Sequence, residues 1–131
     1  MAKRNPLDLE REVVEAFEHA LRVTEVLVEA VPAEYWHATP PQKGRTIAGV
    51  VAHMYGLRRT FTKMAKVGVG PTLPAKTVTK EEALGRLAEN RAALVALFED
   101  AIGHRLGRVP GMPKRTATMM AYLMQHDAHH R

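Results

Sequence analysis

Proline placement divides this chain into a few uninterrupted stretches. Its eight prolines lie at positions 6, 32, 40, 41, 71, 74, 110 and 113. Because proline lacks an amide donor and clashes with the preceding turn, it breaks the interior of a helix. The four long proline-free stretches therefore predict helices over residues 6–30, 46–66, 79–103 and from about 114 onward. No segment alternates apolar and polar residues with a period of two, so we expect no strands.

Apolar residues recur at helical spacing within these stretches. In the first stretch they are Leu9, Val13, Phe17, Ala20, Val23 or Thr24, and Leu27. Two helix starts carry cap signals: Asn5 precedes Pro6, and Thr79 with Glu82 forms a capping box. Amphipathic helices of this length and number predict an all-α fold, a four-helix bundle.

The connections and the chain length refine this prediction. Residues 31–45 and 67–78 form connections of more than ten residues each. Connections of that length can cross over the bundle, so a simple up-down-up-down order is not implied. With 131 residues, of which 46% are hydrophobic, we expect one domain over residues 1–131.

Composition excludes several classes of protein. The chain has no cysteine, which excludes a disulfide scaffold, thiolate-bound zinc, an iron–sulfur cluster and a cysteine nucleophile. Residues 1–10 lack the apolar region of a signal peptide. The longest apolar run, residues 92–98, is far shorter than the ~18 residues of a membrane span. We therefore expect a cytoplasmic protein with no membrane partner.

The net charge of +5 permits an anionic partner without requiring one. The basic residues are dispersed over predicted helix ends and connections, without interleaved aromatic residues that would stack on bases. They are Arg58, Arg59, Lys63, Lys66, Arg105, Arg108, Lys114 and Arg115. We interpret them as a solvated surface and expect no nucleic-acid partner.

The predicted last helix carries the most specific motif in the chain. Its stripe of Thr116, Met119 and Leu123 continues with His126 and His130, at spacings of three and four residues. Residues four apart on a helix have Cβ atoms about 5–6 Å apart, so two imidazoles can bind one metal ion. The alternative is a frayed, solvated last turn whose histidine cations complement the helix dipole.

His53 is the candidate for a third ligand, because it lies at the edge of the apolar stripe of the predicted second helix. Taken alone, a histidine in such a position is more often a hydrogen-bonded structural residue. Gly49 and Gly56, about one turn either side, would leave room above a metal ion or would only let two helices pack closely. Three neutral imidazoles without a thiolate leave coordination positions open for water or a substrate.

The other aromatic residues near this motif are weaker candidates. Tyr122, one turn before His126, would line a pocket at the site or belong to the core. His129 lies off the apolar stripe, which favours a position beside the site or in solvent. The remaining histidines are interpreted as surface residues: His19, His37 and His104.

Three segments together resemble the DinB-like (DinB/YfiT) family of four-helix-bundle metalloproteins. They are Tyr-Trp-His-Ala-Thr-Pro at 35–40, Arg-Thr-Ile-Ala-Gly-Val-Val-Ala-His-Met at 45–54, and His-Asp-Ala-His-His-Arg at 126–131. The resemblance covers essentially the whole chain. It implies a site of His53, His126 and His130 that binds zinc or nickel, bundle connectivity unlike a simple meander, and a homodimer.

The chain departs from the family pattern at its end. Helix four of that family usually continues for further turns, whereas this chain stops at Arg131, directly after His130. Both a complete domain and one truncated at its C-terminus are compatible with this ending. A ligand in a terminal turn should fray unless a metal or a partner holds it, so His130 is the least secure of the three.

Two functions follow from these observations and the resemblance. The first is a divalent-metal-dependent hydrolase or low-molecular-weight-thiol transferase, acting on a small molecule, with a three-histidine open site. The second is a non-catalytic, stress-linked helical bundle with a structural or vacant metal site. The sequence identifies no catalytic acid or base in either case.

Overall fold

A computed structural model describes residues 5–131. Residues 1–4, part of the segment in which the sequence shows no signal peptide, lie outside the described residues. The helices are α1 (Leu9–Ala30), α2 (Ala33–Trp36), α3 (Ile47–Met64), α4 (Lys80–Gly103) and α5 (Thr116–His130). Within residues 5–131 there is no strand, and no helix is long and apolar enough to cross a membrane. The all-α prediction is confirmed.

The helices α1, α3 and α4 each begin after a residue whose side chain caps the first turn. Thr79 Oγ1 accepts a hydrogen bond from the Glu82 amide at 3.0 Å, as the capping box predicts. The predicted cap at Asn5 is wrong, because α1 begins three residues later. There the Asp8 carboxylate accepts from the Arg11 amide, and Glu12 accepts from the Asp8 amide, each at 3.1 Å. The Asp8 side chain therefore satisfies one of the free amides of the first turn.

The buried face of α1 is rotated from the predicted stripe. Leu9, Val13 and Leu27 were expected to face inward, but all three are exposed. The buried residues of α1 are Val14, Phe17, Leu21, Thr24 and Val28. Because apolar residues stand next to each other at 13 and 14 and at 27 and 28, helical spacing alone does not choose between the two faces.

The long connections pack on the bundle. The first contains α2, a single turn that the sequence did not predict, whose Trp36 is buried. The Trp36 indole donates a hydrogen bond to the Val78 carbonyl at 2.8 Å, and Val78 lies in the connection before α4. This bond joins the two long connections at one end of the bundle.

Helix packing shows a crossover arrangement. The helix α1 packs chiefly against α4, and α3 packs against both α4 and α5. The helix α5 also contacts α1, so α1 and α3 lie mainly at opposite corners although α3 is the next long helix in the chain. A meander would place them side by side. The four-helix bundle with long crossover connections is therefore confirmed.

The bundle core consists of two apolar clusters. One is centred on Phe17, Leu94 and Phe98, and the other on Trp36 and Tyr55. Between them along the helices lie buried polar residues, which we call the polar layer: Thr24, Arg58, Thr62, Asn90 and Asp127. The polar layer brings charged groups to the middle of the bundle, beside the histidines of α3 and α5.

Candidate metal centre

Three histidines from two helices converge in the structure. The ring centroids of His126 and His130 are 4.6 Å apart, as are those of His53 and His130, and His53 lies 5.3 Å from His126. One ring nitrogen of each residue lies within 4.8 Å of one ring nitrogen of each other residue. The structure thus brings together the three side chains that the sequence singled out.

The local structure of α5 explains the convergence of its pair. His126 and His130 are one turn apart on a regular helix, so their side chains point in the same direction. The helix is fixed at its end because the Arg131 guanidinium donates a hydrogen bond to the Ala20 carbonyl of α1 at 2.8 Å. The helix α5 extends to His130. That its last turn frays unless a metal or a partner holds it stays a prediction.

His126 has an unmatched polar atom. Its Nδ1 is buried and has no hydrogen-bond partner among the residues that the structure describes. A buried polar atom without a partner costs free energy, so such atoms are uncommon unless water, an ion or a ligand satisfies them. A bound metal ion is one group that would do so.

The electrostatics favour neutral imidazoles. Burial lowers the pKa of the His126 imidazole, and the neighbouring His130 and His53 lower this pKa further. Burial likewise lowers the pKa of His130, with additional contributions from His53, His129 and Arg45. Metal ions bind the neutral imidazole, so the lowered pKa of His126 and His130 favours the form of these two residues that a ligand requires.

The donor set fits a divalent transition metal. Two nitrogens bound to one tetrahedral zinc ion lie about 3.3 Å apart, given Zn–N bonds of about 2.0–2.1 Å. The candidate nitrogens lie within 4.8 Å of one another, so each would have to move by about an ångström or less to reach that separation. Three histidines without a carboxylate or a thiolate suit zinc, nickel, copper or iron better than magnesium or calcium.

An ion pair in the polar layer supports the cluster. Arg58 of α3 pairs with Asp127 of α5 through two hydrogen bonds, and both side chains are almost completely buried. Thr24 donates to Asp127 at 2.7 Å, and Arg58 also donates to the Leu21 carbonyl at 3.2 Å. These contacts join α1, α3 and α5 next to His126.

The interpretation of Arg58 as a surface residue is therefore wrong. Its position among basic neighbours favoured solvent, but its partner is 69 residues away in the sequence. Their spacing agrees with burial: Arg58 lies four residues after Met54 and three before Phe61, and Asp127 lies four residues after Leu123. Their charge favoured solvent, because charged side chains are rarely buried without a partner.

The predicted pocket residues occupy different surroundings. Tyr122 is half-buried, stacks on the His126 ring at a centroid distance of 6.4 Å, and packs edge-on against Phe61. A Cβ on Gly49 would meet the Arg45 and Thr46 side chains at 3.3 Å, so this glycine gives room to its own helix start. A Cβ on Gly56 would meet nothing within 4 Å. A role of these residues in a pocket stays a prediction.

The other histidines lie outside the cluster. His129 is exposed, with its ring 4.8 Å from that of His130. His19, His37 and His104 are exposed as expected. His37 nevertheless has a defined contact, because its Nε2 lies 2.9 Å from the Val78 carbonyl.

Comparisons with known proteins agree with this architecture. The family model of the DinB superfamily matches residues 16–131, which include all of α2 to α5 and the three clustered histidines. Searches of curated proteins and of solved structures found no significant match. Because the family match covers most of the sequence and the helices have the expected arrangement, the chain belongs to the DinB superfamily.

Proposed function

We propose that this protein is a divalent-metal-dependent enzyme, a hydrolase or a low-molecular-weight-thiol transferase, whose metal is held by His53, His126 and His130. The observation that carries the proposal is the convergence of three imidazoles from two helices, one of them with a buried nitrogen that lacks a partner among the described residues. Three protein ligands leave at least one coordination position free, as in catalytic rather than structural zinc sites.

The residues of the site have distinct parts in this proposal. The three histidines would hold the ion, and the ion pair of Arg58 with Asp127 keeps α5 in register with α3. A bound divalent ion would lower the pKa of a coordinated water or thiol, which supplies a nucleophile near neutral pH. The Tyr122 ring stacks beside the His126 ring, with the centroids 6.4 Å apart.

Finer properties belong to the same proposal. The metal is zinc or nickel, and the substrate is a small molecule, with a thiol as the co-substrate in the transferase case. The protein is a cytoplasmic homodimer, and residues 1–131 form one domain. The resemblance to DinB-like proteins supports the metal and the dimer, and the absence of thiolate ligands limits the donor set to nitrogen and oxygen.

Metal analysis tests the ligand set. We expect purified, untagged protein to contain or take up about one equivalent of zinc or nickel per chain, as a single three-histidine site requires. His126→Ala should lose this uptake, whereas His19→Ala, which removes an exposed histidine of α1, should retain it. Wild-type protein that takes up neither metal, or a His126→Ala variant that binds as much as the wild type, would contradict the proposal.

A second measurement separates catalysis from a structural metal. Metal-loaded and chelator-treated protein would be compared for hydrolysis of simple esters and amides and for conjugation of small thiols. The proposal predicts turnover that depends on the metal and disappears in His126→Ala. Full metal occupancy without turnover in any of these reactions would instead favour the alternative, a non-catalytic bundle with a structural metal.

A further inference from the structure

A groove with a largely apolar wall borders the histidine cluster. It has a volume of about 350 Å³ and lies between α1, α3 and the end of α5. Its apolar wall includes Val28, Val51 and Met54. His130 belongs both to this wall and to the three-histidine cluster, so the groove ends at the candidate metal site.

We propose that this groove binds the substrate, a small molecule with an apolar body and an anionic group. The inference rests on the proposed function, since it makes the groove the substrate pocket of the metal site. The volume falls in the range of about 300–1,000 Å³ that is typical of small-molecule pockets. Leu27 and Ile47 at its rim are exposed, which offers further apolar surface to such a ligand.

The positively charged residues that line the groove favour an anionic ligand. Arg45 and Arg131 line it, and none of its lining residues is acidic. Arg45 is exposed and makes no hydrogen bond or ion pair within residues 5–131, so its guanidinium is free to bind a carboxylate or a phosphate. One guanidinium nitrogen of Arg131 donates a hydrogen bond to the Ala20 carbonyl, and the other nitrogens remain available as donors to an anion.

The same arrangement disfavours a second copy of the chain as the occupant. A twofold interface uses the same surface patch on both subunits. If the axis passed through the groove, Arg45 and Arg131 of each copy would face their counterparts, and like charges opposed across an interface are unfavourable. A small anion instead neutralises both arginines while its apolar part covers the wall.

A series of probes with one apolar body separates the contributions of shape and charge. Hexanoate, 1-hexanol and hexyltrimethylammonium would be titrated into the full chain, first as purified and then after chelator treatment, with binding followed by amide chemical shifts. We expect hexanoate to perturb the amides of Val50, Val51 and Met54 and to bind more tightly than hexanol. The trimethylammonium probe should bind least.

Two variants locate the anion. Arg45→Gln should weaken hexanoate binding about two- to fivefold, as for a partly exposed ion pair, and should leave hexanol binding unchanged. Arg22→Gln, on the exposed side of α1, is the matched control. Ile47→Asp places an anion at the rim where the helix start tolerates it, so the variant should fold and should also weaken hexanoate binding.

The outcomes distinguish this inference from the proposed function. If hexanoate binds in the groove but the protein takes up no metal, the groove is supported and the metal site is contradicted. Metal uptake without hexanoate binding in the groove overturns the present inference alone. It is also overturned if hexanol binds as tightly as hexanoate, or if Ile47→Asp dissociates a dimer that hexanoate does not bind, since the groove would then be an interface between copies.

Discussion

Arg58 and Asp127 form the charged centre of the polar layer, one residue from the candidate ligand His126. Arg58 Nε donates to Asp127 at 3.2 Å, and Thr24 and the Leu21 carbonyl provide further hydrogen bonds. Burying two charges is costly, and the cost is offset only when the pair is complete. The pair therefore makes the position of α5 sensitive to single substitutions.

We predict that Asp127→Ala destabilises the protein by about 3–5 kcal/mol, because it leaves the Arg58 guanidinium buried without a partner. The double variant Arg58→Met with Asp127→Leu should recover most of this loss, since it replaces both charges with apolar groups. Urea denaturation of the metal-free proteins measures both values. An Asp127→Ala variant as stable as the wild type would show that the pair is not buried in solution.

The sequence identified the three candidate ligands but not the buried ion pair of Arg58 and Asp127 next to them. Spacings of three and four residues placed His126 and His130 on one face, and the stripe edge placed His53 near them. The position of Asp127 depends on a partner from α3 and a hydroxyl from α1, and no local pattern specifies either. Burial of a charged residue is decided by tertiary contacts that become visible only when the helices are packed.

The helices differ in how much of their packing the sequence could specify. The buried residues of α4 follow one another at spacings of three and four, as on a single helix face: Ala83, Leu87, Asn90, Leu94, Phe98 and Ala101. The helix α1 carries apolar residues on two adjacent faces, and packing against α4 and α5 selects one. Apolar residues on the other face of α1 stay exposed, and one of them, Leu27, lies at the rim of the groove.

Burial of His126 and His130, together with the neighbouring imidazoles, produces a pH dependence. The folded protein lowers the pKa of His126 and His130 below the ordinary value of 6.5. As pH falls below that value, the unfolded chain binds protons at these positions before the folded chain does. The free energy of unfolding of the metal-free protein should therefore decrease from pH 8 to pH 5.

Denaturation across that range checks this prediction, with the double variant His126→Gln and His130→Gln as the reference. The variant should show a smaller decrease, because it lacks the two groups whose pKa the fold lowers. Equal slopes for the wild type and the double variant would contradict the lowered pKa of His126 and His130 in the folded protein.

The connections contribute individual buried residues to the core of the molecule. Trp36 joins the first connection to Val78 in the second, and Val109 and Met112 of the last connection are buried in the apolar cluster of Phe98. Connection length predicted that a crossover was possible, but not its path. The turns that fix the path depend on single residues, among them Gly111, which has a positive φ of 91°.

We predict that Gly111→Ala destabilises the protein by about 1–3 kcal/mol or more, because a side chain is strained at this φ. An added Cβ would also lie 2.0 Å from the Met64 carbonyl oxygen at the end of α3. Gly85→Ala is the matched control: it lies within α4 with nothing within 4 Å of the added Cβ, so it should stabilise by about 0.5–1 kcal/mol. Thermal unfolding of both variants tests the packing of the last connection on α3.

The proposed function requires that three histidines from two helices of this bundle bind one metal ion. An anomalous difference map, recorded at the zinc absorption edge from crystals of zinc-loaded protein, tests it directly. We predict one strong peak, about 2.0–2.1 Å from a ring nitrogen of each of His53, His126 and His130. A zinc-loaded crystal without a peak between these imidazoles, or with its strongest peak at other residues, would contradict the account.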